Sequence, residues 1–203
     1  MVNTKNEGTQ VRILAAAKNV FQSKGMTGAR MQDIADEAGI NKALLHYYFS
    51  SKQKLFEMIF KDAFSQFFPK IAAVINADIT LDAKIELFCR TYIDMMVQNP
   101  YLPLFVLNEL NRQPERFAKK MWKNRPSPYM QFAQQIELEV KKKNIRPIHP
   151  GQLFINMLSM CIFPFLAKPL WMAATGMDES AFLSFIQERK KDVPQFIYDS
   201  IKI

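Results

Sequence analysis

Arg30-Met31-Gln32-Asp33-Ile34-Ala35-Asp36-Glu37-Ala38-Gly39-Ile40-Asn41-Lys42-Ala43-Leu44-Leu45-His46-Tyr47-Tyr48-Phe49-Ser50-Ser51-Lys52 reads as two short helices about a glycine turn. Ile34, Ala35 and Ala38 share one helical face, and Gly39 follows the last of them, where a left-handed residue stops a helix. Ala35 is small enough for a crossing helix to approach closely. Asn41 has the chemistry of an N-cap, because its side-chain oxygen can accept a hydrogen bond from an otherwise orphan backbone N–H. The helix that follows, over about 42–48, is anchored by Leu45 within it and by Ile40 just before its cap. Ser50 and Gln53 have the Ser-x-x-Gln spacing of a capping box for the next helix.

What these helices present outward points to duplex DNA. Lys42 stands in the first turn of its helix, and Lys52 and Lys54 in the first turn of the next. A cation there opposes the helix dipole. A nearby phosphate resolves the conflict, since helix N-termini also offer free N–H groups to phosphate oxygens. His46, Tyr47 and Tyr48 add hydrogen-bonding groups to the second helix. Such groups position a protein on the DNA backbone, while base edges in the major groove carry sequence. The structural alternative is that Ala-x-x-x-Gly-Ile is a common hairpin pattern, that the tyrosines pack half-buried, and that the lysines are solvated. For Lys54 that is the better reading. A full helix before the motif and a capped, lysine-led helix after it favour DNA.

Several groups recur in a fixed order: Ile13-Leu14-Ala15-Ala16-Ala17, Val20-Phe21, Gly25, Asp33-Ile34-Ala35, Ala38-Gly39-Ile40, Lys42, Leu45, Tyr47-Tyr48-Phe49 and Ser51-Lys52-Gln53-Lys54-Leu55. In this spacing the chain, from about Thr9 to Phe60, resembles the TetR (tetracycline-repressor-like) family of bacterial transcription regulators. The resemblance implies an all-α protein of about nine helices. A three-helix helix-turn-helix domain would occupy residues 1–50, with the linking helix begun by about 60. A helical effector-binding and dimerisation domain would occupy 51–203. Residues and resemblance together nominate Arg30, Gln32, Asn41, Lys42, Ala43, Leu44, His46, Tyr47, Tyr48 and Lys52 as DNA-binding. The chain also departs from the family pattern. Ala29 and Arg30 stand where threonine or serine is usual, so the cap of the second helix moves to Thr27 or is lost, and Arg30 either contacts phosphate or is solvated. Ala43 replaces a common glycine, Leu44 a small polar residue that often reads a base, and His46 a common tyrosine. Leu44 either meets a thymine methyl or only packs.

Composition agrees with a polyanionic partner. The chain has 203 residues, 49% hydrophobic and 23% charged, with a formal net charge of +8. Residues 1–60 hold eight Lys/Arg and five Asp/Glu, a net of +3, which leaves +5 for the remainder. Such a balance acts through long-range steering rather than through folding. Lys119-Lys120, Lys123, Arg125 and Lys141-Lys142-Lys143 supply much of the second figure and read as solvated faces. The two cysteines, Cys89 and Cys161, lie in separate apolar helical patterns without a CxxC, and read as buried reduced thiols of a cytoplasmic protein, with a redox-sensing pair as the alternative. Residues 1–8 are polar and lack a leader pattern. The apolar run over 153–174 approaches a membrane span in length, but Asn156, Pro164, Lys168 and Pro169 interrupt it, and a helical core explains it more simply.

Periodicity places further helices over about 4–23, 51–77, 80–98, 102–111, 114–122, 128–143 and 151–174, and a last one from Asp178 interrupted at Pro194. Pro69 is expected to kink the fourth helix. No segment reads as a strand or an internal repeat. The chain holds 17 Phe and 12 Met, many in the body, a composition that either fills a core or lines an adaptable apolar pocket. By resemblance an effector pocket is expected there, with Phe88, Tyr92, Met96, Phe105, Trp122, Phe132, Met157 and Cys161 as its candidate lining. Phe154, Leu158, Phe182, Phe185, Ile186, Phe196 and Ile197 are the candidates for a four-helix homodimer interface. The expected function is therefore a ligand-responsive transcriptional regulator, a repressor of a pseudo-palindromic operator, bacterial and nucleoid-associated. Its expected partners are double-stranded DNA, a small apolar effector and a second copy of the chain, with no membrane. No cofactor, metal or catalytic constellation is expected: His46 and His149 are isolated, and Glu109, Glu137 and Glu139 are scattered. The alternative is a small-molecule- or lipid-binding helical protein without DNA function.

Overall fold

The computed structural model describes residues 2–112, 114–115, 119 and 128–203. Trp122 and most of the helix expected over about 114–122 lie outside the described residues, as does the side chain of Phe105. Ten helices are defined among the described residues: α1 (Val2–Gly28), α2 (Met31–Glu37), α3 (Lys42–Tyr48), α4 (Lys52–Asn76), α5 (Leu81–Gln98), α6 (Leu102–Arg112), α7 (Pro128–Lys141), α8 (Pro150–Leu166), α9 (Lys168–Thr175) and α10 (Glu179–Ile201). The only extended pairing among them is a single antiparallel bridge, Ile145 with Lys202. The chain divides into two compact units, a head of Met1–Gln66 with Asn99–Phe105 and a body of Phe67–Gln98 with Val106–Ile203.

The head is built on three short crossing helices and the start of α4. Gly25 has φ 66° and ψ 171°, a conformation open essentially to glycine alone, and it breaks α1 before a last turn. The first helix therefore stops at Lys24-Gly25 as expected, and a separate short turn follows to Gly28. Ile13, Ala17 and Phe21 on α1, Ile34 and Ala35 on α2, Leu45 on α3 and Leu55 and Phe56 on α4 are all buried. Phe56 is the centre of an aromatic set. It meets Phe21 edge-on at 4.9 Å and Tyr101 at 5.6 Å. Tyr101 reaches the head because residues 99–105 fold with it, a return of the chain that local periodicity does not report. Its hydroxyl donates to Asn99 Oδ1 at 3.3 Å, and burial pushes its pKa up.

The body core follows from helical repeats of four and seven residues. Leu153, Met157, Cys161 and Phe165 recur along α8, and Phe182, Ile186, Val193, Ile197 and Ile201 along α10. Ile85, Phe88, Cys89, Ile93 and Met96 of α5 complete the same core with Phe132 and Ile136 of α7. Three prolines sit inside helices that remain continuous, Pro69 in α4, Pro164 in α8 and Pro194 in α10, so the interruption expected at Pro194 does not occur. Pro164 within α8 cannot donate to the Met160 carbonyl one turn back. Arg189 of α10 does so instead, with Nη2 2.8 Å from that oxygen. Buried Lys84 performs a similar service, donating from Nζ to Ile75 O at 2.7 Å in the last turn of α4. Burial lowers its pKa, partly opposed by Asp78. A cation at a helix C-terminus is favourably placed against the dipole.

The apolar run bends by 68° between α8 and α9. No single helix among the described residues is long and apolar enough to cross a membrane, although the bent pair passes by length and composition. His149 opens α8, its Nδ1 accepting the Gly151 N–H at 3.1 Å, and Asp178 caps α10 by accepting the Ala181 N–H at 2.8 Å.

Candidate nucleic-acid interface

The turn between α2 and α3 is locked by backbone bonds. Gly39 has φ 62°; its N–H donates to Asp36 O at 3.0 Å, and the Ile40 N–H donates to Ala35 O at 3.0 Å. This nested pair is the glycine-terminated helix stop that the sequence announces. Asn41 Oδ1 then accepts the Leu44 N–H at 2.7 Å, which starts α3 where the cap chemistry places it.

Leu45 is the one residue of α3 that is buried, and it pins the helix to the head core. Lys42, Ala43, His46 and Tyr47 are exposed, Tyr47 by 78%, with Ala43 and Tyr47 nearly opposite Leu45. Leu44 is exposed by 37%. Tyr48 is half-buried and stands edge-on to Tyr47, ring centres 5.4 Å apart. Phe49, buried, ends the helix and donates its N–H to Leu45 O at 2.8 Å.

Other nominated residues are partly committed to the fold. Arg30 stands at the N-cap position of α2 without a side-chain cap bond, so the cap does not move to Thr27 and its side-chain acceptor is lost. Its backbone N–H donates to Asp33 Oδ2 at 3.0 Å, half of a capping box with no side-chain acceptor at the cap. The Arg30 side chain is exposed. Gln32 Nε2 donates to Asp36 Oδ1 at 2.7 Å. The cap of α4 is Ser51 rather than Ser50. Its Oγ accepts the Lys54 N–H at 3.2 Å, and the one-residue shift removes the expected Ser50–Gln53 box. Lys52 is half-buried, with Nζ donating to Ala29 O at 2.8 Å and Thr27 O at 3.4 Å, the carbonyls that end α1. One ammonium proton remains for another acceptor. Lys52→Met is therefore expected to lower head stability by about 1–2 kcal/mol in urea melts, the worth of charged hydrogen bonds discounted for partial exposure. An unchanged midpoint would leave those carbonyl contacts without weight.

Sequence reasoning missed the ion pair that braces α1 against α2, Lys24 Nζ to Asp33 Oδ1 at 3.0 Å. Only the Arg30–Asp33 spacing hinted at it. The Lys24 bond, with the Arg30 N–H second, holds the Asp33 carboxyl below its ordinary 3.8. A lowered folded pKa stabilises the head above the ordinary carboxylate range and loses that contribution as pH falls through the lowered value. Wild-type melting temperature is thus expected to fall more steeply below about pH 4 than that of Asp33→Asn. Parallel acid profiles for the two proteins would remove Asp33 from the account.

In the body, Phe88, Met96, Phe132, Met157 and Cys161 lie buried in one core, with Tyr92 packed against it. Phe154, nominated for the dimer interface, belongs instead to this aromatic group. Its ring lies 5.7 Å from Phe132, 5.7 Å from Tyr129 and 5.9 Å from Phe88. Phe182, Ile186 and Ile197 are likewise buried in the protomer's own core, because the helical periodicity of α10 turns them inward. Leu158 and Phe185 are half-buried. Phe196 faces outward at 62% exposure, on the same molecular unit as exposed Ile155 and Phe163 of α8 and Leu183 of α10.

A family model described as "Bacterial regulatory proteins, tetR family" matches residues 13–59. The chain is 39% identical over 59 residues to the HTH-type transcriptional repressor NicS of Pseudomonas putida, which is 29% of this chain and 28% of that protein. It is 28% identical over 112 residues to IcaR of Staphylococcus aureus, the HTH-type negative transcriptional regulator of the icaADBC biofilm operon, covering 55% of this chain and 58% of that one. The chain thus spans less than two thirds of the length of these relatives. Its fold is similar to that of AibR, solved with isovaleryl coenzyme A and operator DNA, with a TM-score of 0.61 and 17% identity over 77% of this chain and 85% of that one.

Proposed function

Because the chain belongs to the TetR family of bacterial regulatory proteins, we propose that it is a DNA-binding transcriptional regulator, a repressor that binds a pseudo-palindromic operator as a homodimer and leaves it when a small apolar effector enters the body. The observation that carries this reading is the outward face of α3. A single buried leucine fixes a short helix whose exposed residues include a cation, an imidazole and a phenol. That is equipment for phosphate positioning and edge contacts in a major groove. Leu44 and Ala43 give the same face an apolar margin suited to a thymine methyl.

Two copies would place two such helices in successive major grooves, about 34–36 Å apart, on a two-fold symmetric site. The exposed apolar side chains Ile155, Phe163, Leu183 and Phe196 supply the dimer contact in this reading. The aromatic group about Phe154 is the proposed effector wall, and an effector that prefers one of two body states shifts DNA affinity by its differential binding to them. NicS and IcaR are by name a repressor and a negative regulator, and AibR binds both operator DNA and an acyl coenzyme A; these relatives support the repressor reading. Duplexes drawn from regions upstream of the protein's own gene and its neighbours, titrated by fluorescence anisotropy at fixed salt, test the proposal. One duplex bound at least a thousandfold more tightly than scrambled DNA is the expected result, in the range of specific recognition. Equal affinity for all of them would sink it.

A further inference from the structure

Six aromatic rings of the body run in unbroken contact. Phe67 stands edge-on to Tyr92 at 5.0 Å, Tyr92 stacks on Phe88 at 5.5 Å, and Phe88 lies 5.9 Å from Phe154. Phe154 in turn stands edge-on to Tyr129 and to Phe132, each at 5.7 Å. Phe88 and Phe132 are buried, whereas Phe67, Tyr92, Tyr129 and Phe154 are half-buried and keep part of their surface accessible. Within this strip the Tyr92 hydroxyl has no hydrogen-bond partner among the described residues. We propose that the strip binds a neutral, ring-bearing apolar ligand, held by a hydrogen bond from the Tyr92 hydroxyl to a carbonyl oxygen of that ligand. The proposal rests on the effector-responsive reading of the body and assigns that effector its chemical class.

The rings call for a ring. Aromatic pairs prefer edge-on and offset-stacked geometry and gain energy beyond the area they bury. The strip already shows both geometries, and a flat ligand ring extends the same pattern over the half-buried members. The phenol calls for an acceptor. A tyrosine hydroxyl drawn away from water usually finds a hydrogen-bond partner, and leaving it without one costs free energy. Burial also pushes the Tyr92 pKa up, so the group stays a neutral donor across physiological pH. A carbonyl oxygen accepts that proton without itself bringing a donor that would need a second partner.

The charges nearby call for neutrality. Among the described residues no cation stands over Phe67, Phe88, Tyr92, Phe132 or Phe154. The cations that do stand over rings of the body, Lys168 and Arg189, stand over Phe182 and Phe185. Both are already engaged, Lys168 with the Glu179 carboxylate and Arg189 with the Met160 carbonyl. A carboxylate drawn onto the strip would give up its hydration without gaining a counter-charge. A ketone gives up far less.

The test titrates the full chain, by equilibrium dialysis without DNA, with three probes of one ring system: acetylnaphthalene, isopropylnaphthalene and naphthoate. Wild-type protein is expected to bind the ketone about tenfold more tightly than the hydrocarbon of the same shape, the worth of one net hydrogen bond. Naphthoate is expected to bind more weakly than either. Tyr92→Phe removes only the hydroxyl and is expected to abolish the preference for the ketone, a double comparison that isolates the one bond. Phe154→Leu is expected to weaken ketone and hydrocarbon alike several-fold while keeping the preference between them. No binding of any probe, naphthoate as the tightest, or an unchanged ketone preference in Tyr92→Phe would each overturn the proposal. Operator recognition is measured separately. Its survival beside a failed probe series would leave the regulator reading standing without this ligand class, and its loss beside a successful series would do the reverse.

Discussion

Phe56→Ala is expected to destabilise the head by about 3–5 kcal/mol, the usual cost of emptying a fully buried aromatic site. The Phe56 side chain has no solvent exposure, and its ring contacts Phe21 of α1 at 4.9 Å and Tyr101 at 5.6 Å, both edge-on. Each such aromatic pair adds about 0.5–1.5 kcal/mol beyond its buried area. A small unit has little stability to spare, because its surface is large for its volume, and domains as a class hold only about 5–15 kcal/mol in all. The substitution therefore consumes a large share of the head's total. Hydrogen exchange should show the amides of α1, α2 and α3 losing protection while those of α5 and α8 keep theirs, and urea melts should show an early transition. Phe56→Leu, which keeps most of the volume, is expected to cost under about 1.5 kcal/mol. A loss below about 1 kcal/mol for the alanine variant would mean that the site collapses freely and is not closely packed.

Why the sequence disclosed some of this and not the rest can be seen residue by residue. Gly39 and Asn41 act through atoms of their own turn, so the stop of α2 and the start of α3 were legible from adjacent letters. The same holds for Asp178 at the start of α10 and for Leu45 as the pin of α3. Ser51 displaced Ser50 as a cap because two serines offer the same chemistry and only the exact first turn chooses between them. Pro194 was expected to interrupt its helix, yet α10 runs through it, since tertiary packing can retain a helix that has lost one hydrogen bond.

Contacts between distant segments were not legible. Lys52 looks like a free first-turn cation in sequence, but the carbonyls that hold it belong to Thr27 and Ala29. Tyr101 follows a proline and reads as a loop residue, but its segment joins the head core. In the body, helical spacing identified apolar faces correctly without saying which face turns inward. Phe182, Ile186 and Ile197, candidates for the dimer interface, are buried in the protomer core, whereas Phe196, one position earlier than Ile197, is exposed. A residue step of 100° separates the two roles, and only the packed partner helix fixes the phase.

Lys42→Ala is expected to weaken operator binding by about thirtyfold while leaving thermal stability unchanged or slightly raised. Lys42 is exposed on the first turn of α3, where its charge opposes the helix dipole, so the fold itself gains nothing from it. Its value lies in a phosphate. Allowing for solvent screening, one exposed charge contact is worth about 1 kcal/mol, and a symmetric pair of heads would lose it twice, about 2 kcal/mol together. Each phosphate neutralised also releases counterions, with a slope of about 0.9 per contact in the dependence of log affinity on log salt. The double loss should therefore flatten that slope by about 2, equally for operator and non-specific DNA, because phosphate contacts carry no sequence information. Lys42→Arg should retain the slope. Tyr47→Phe separates hydroxyl from ring at the neighbouring position, and Lys52→Met provides the opposite pattern, a fold weakened before binding is measured. Anisotropy titrations at four salt concentrations, paired with melting curves, distinguish these cases. A Lys42→Ala protein with the wild-type salt slope would place that ammonium in solvent rather than on DNA, and the groove-facing orientation of α3 would lose its electrostatic support.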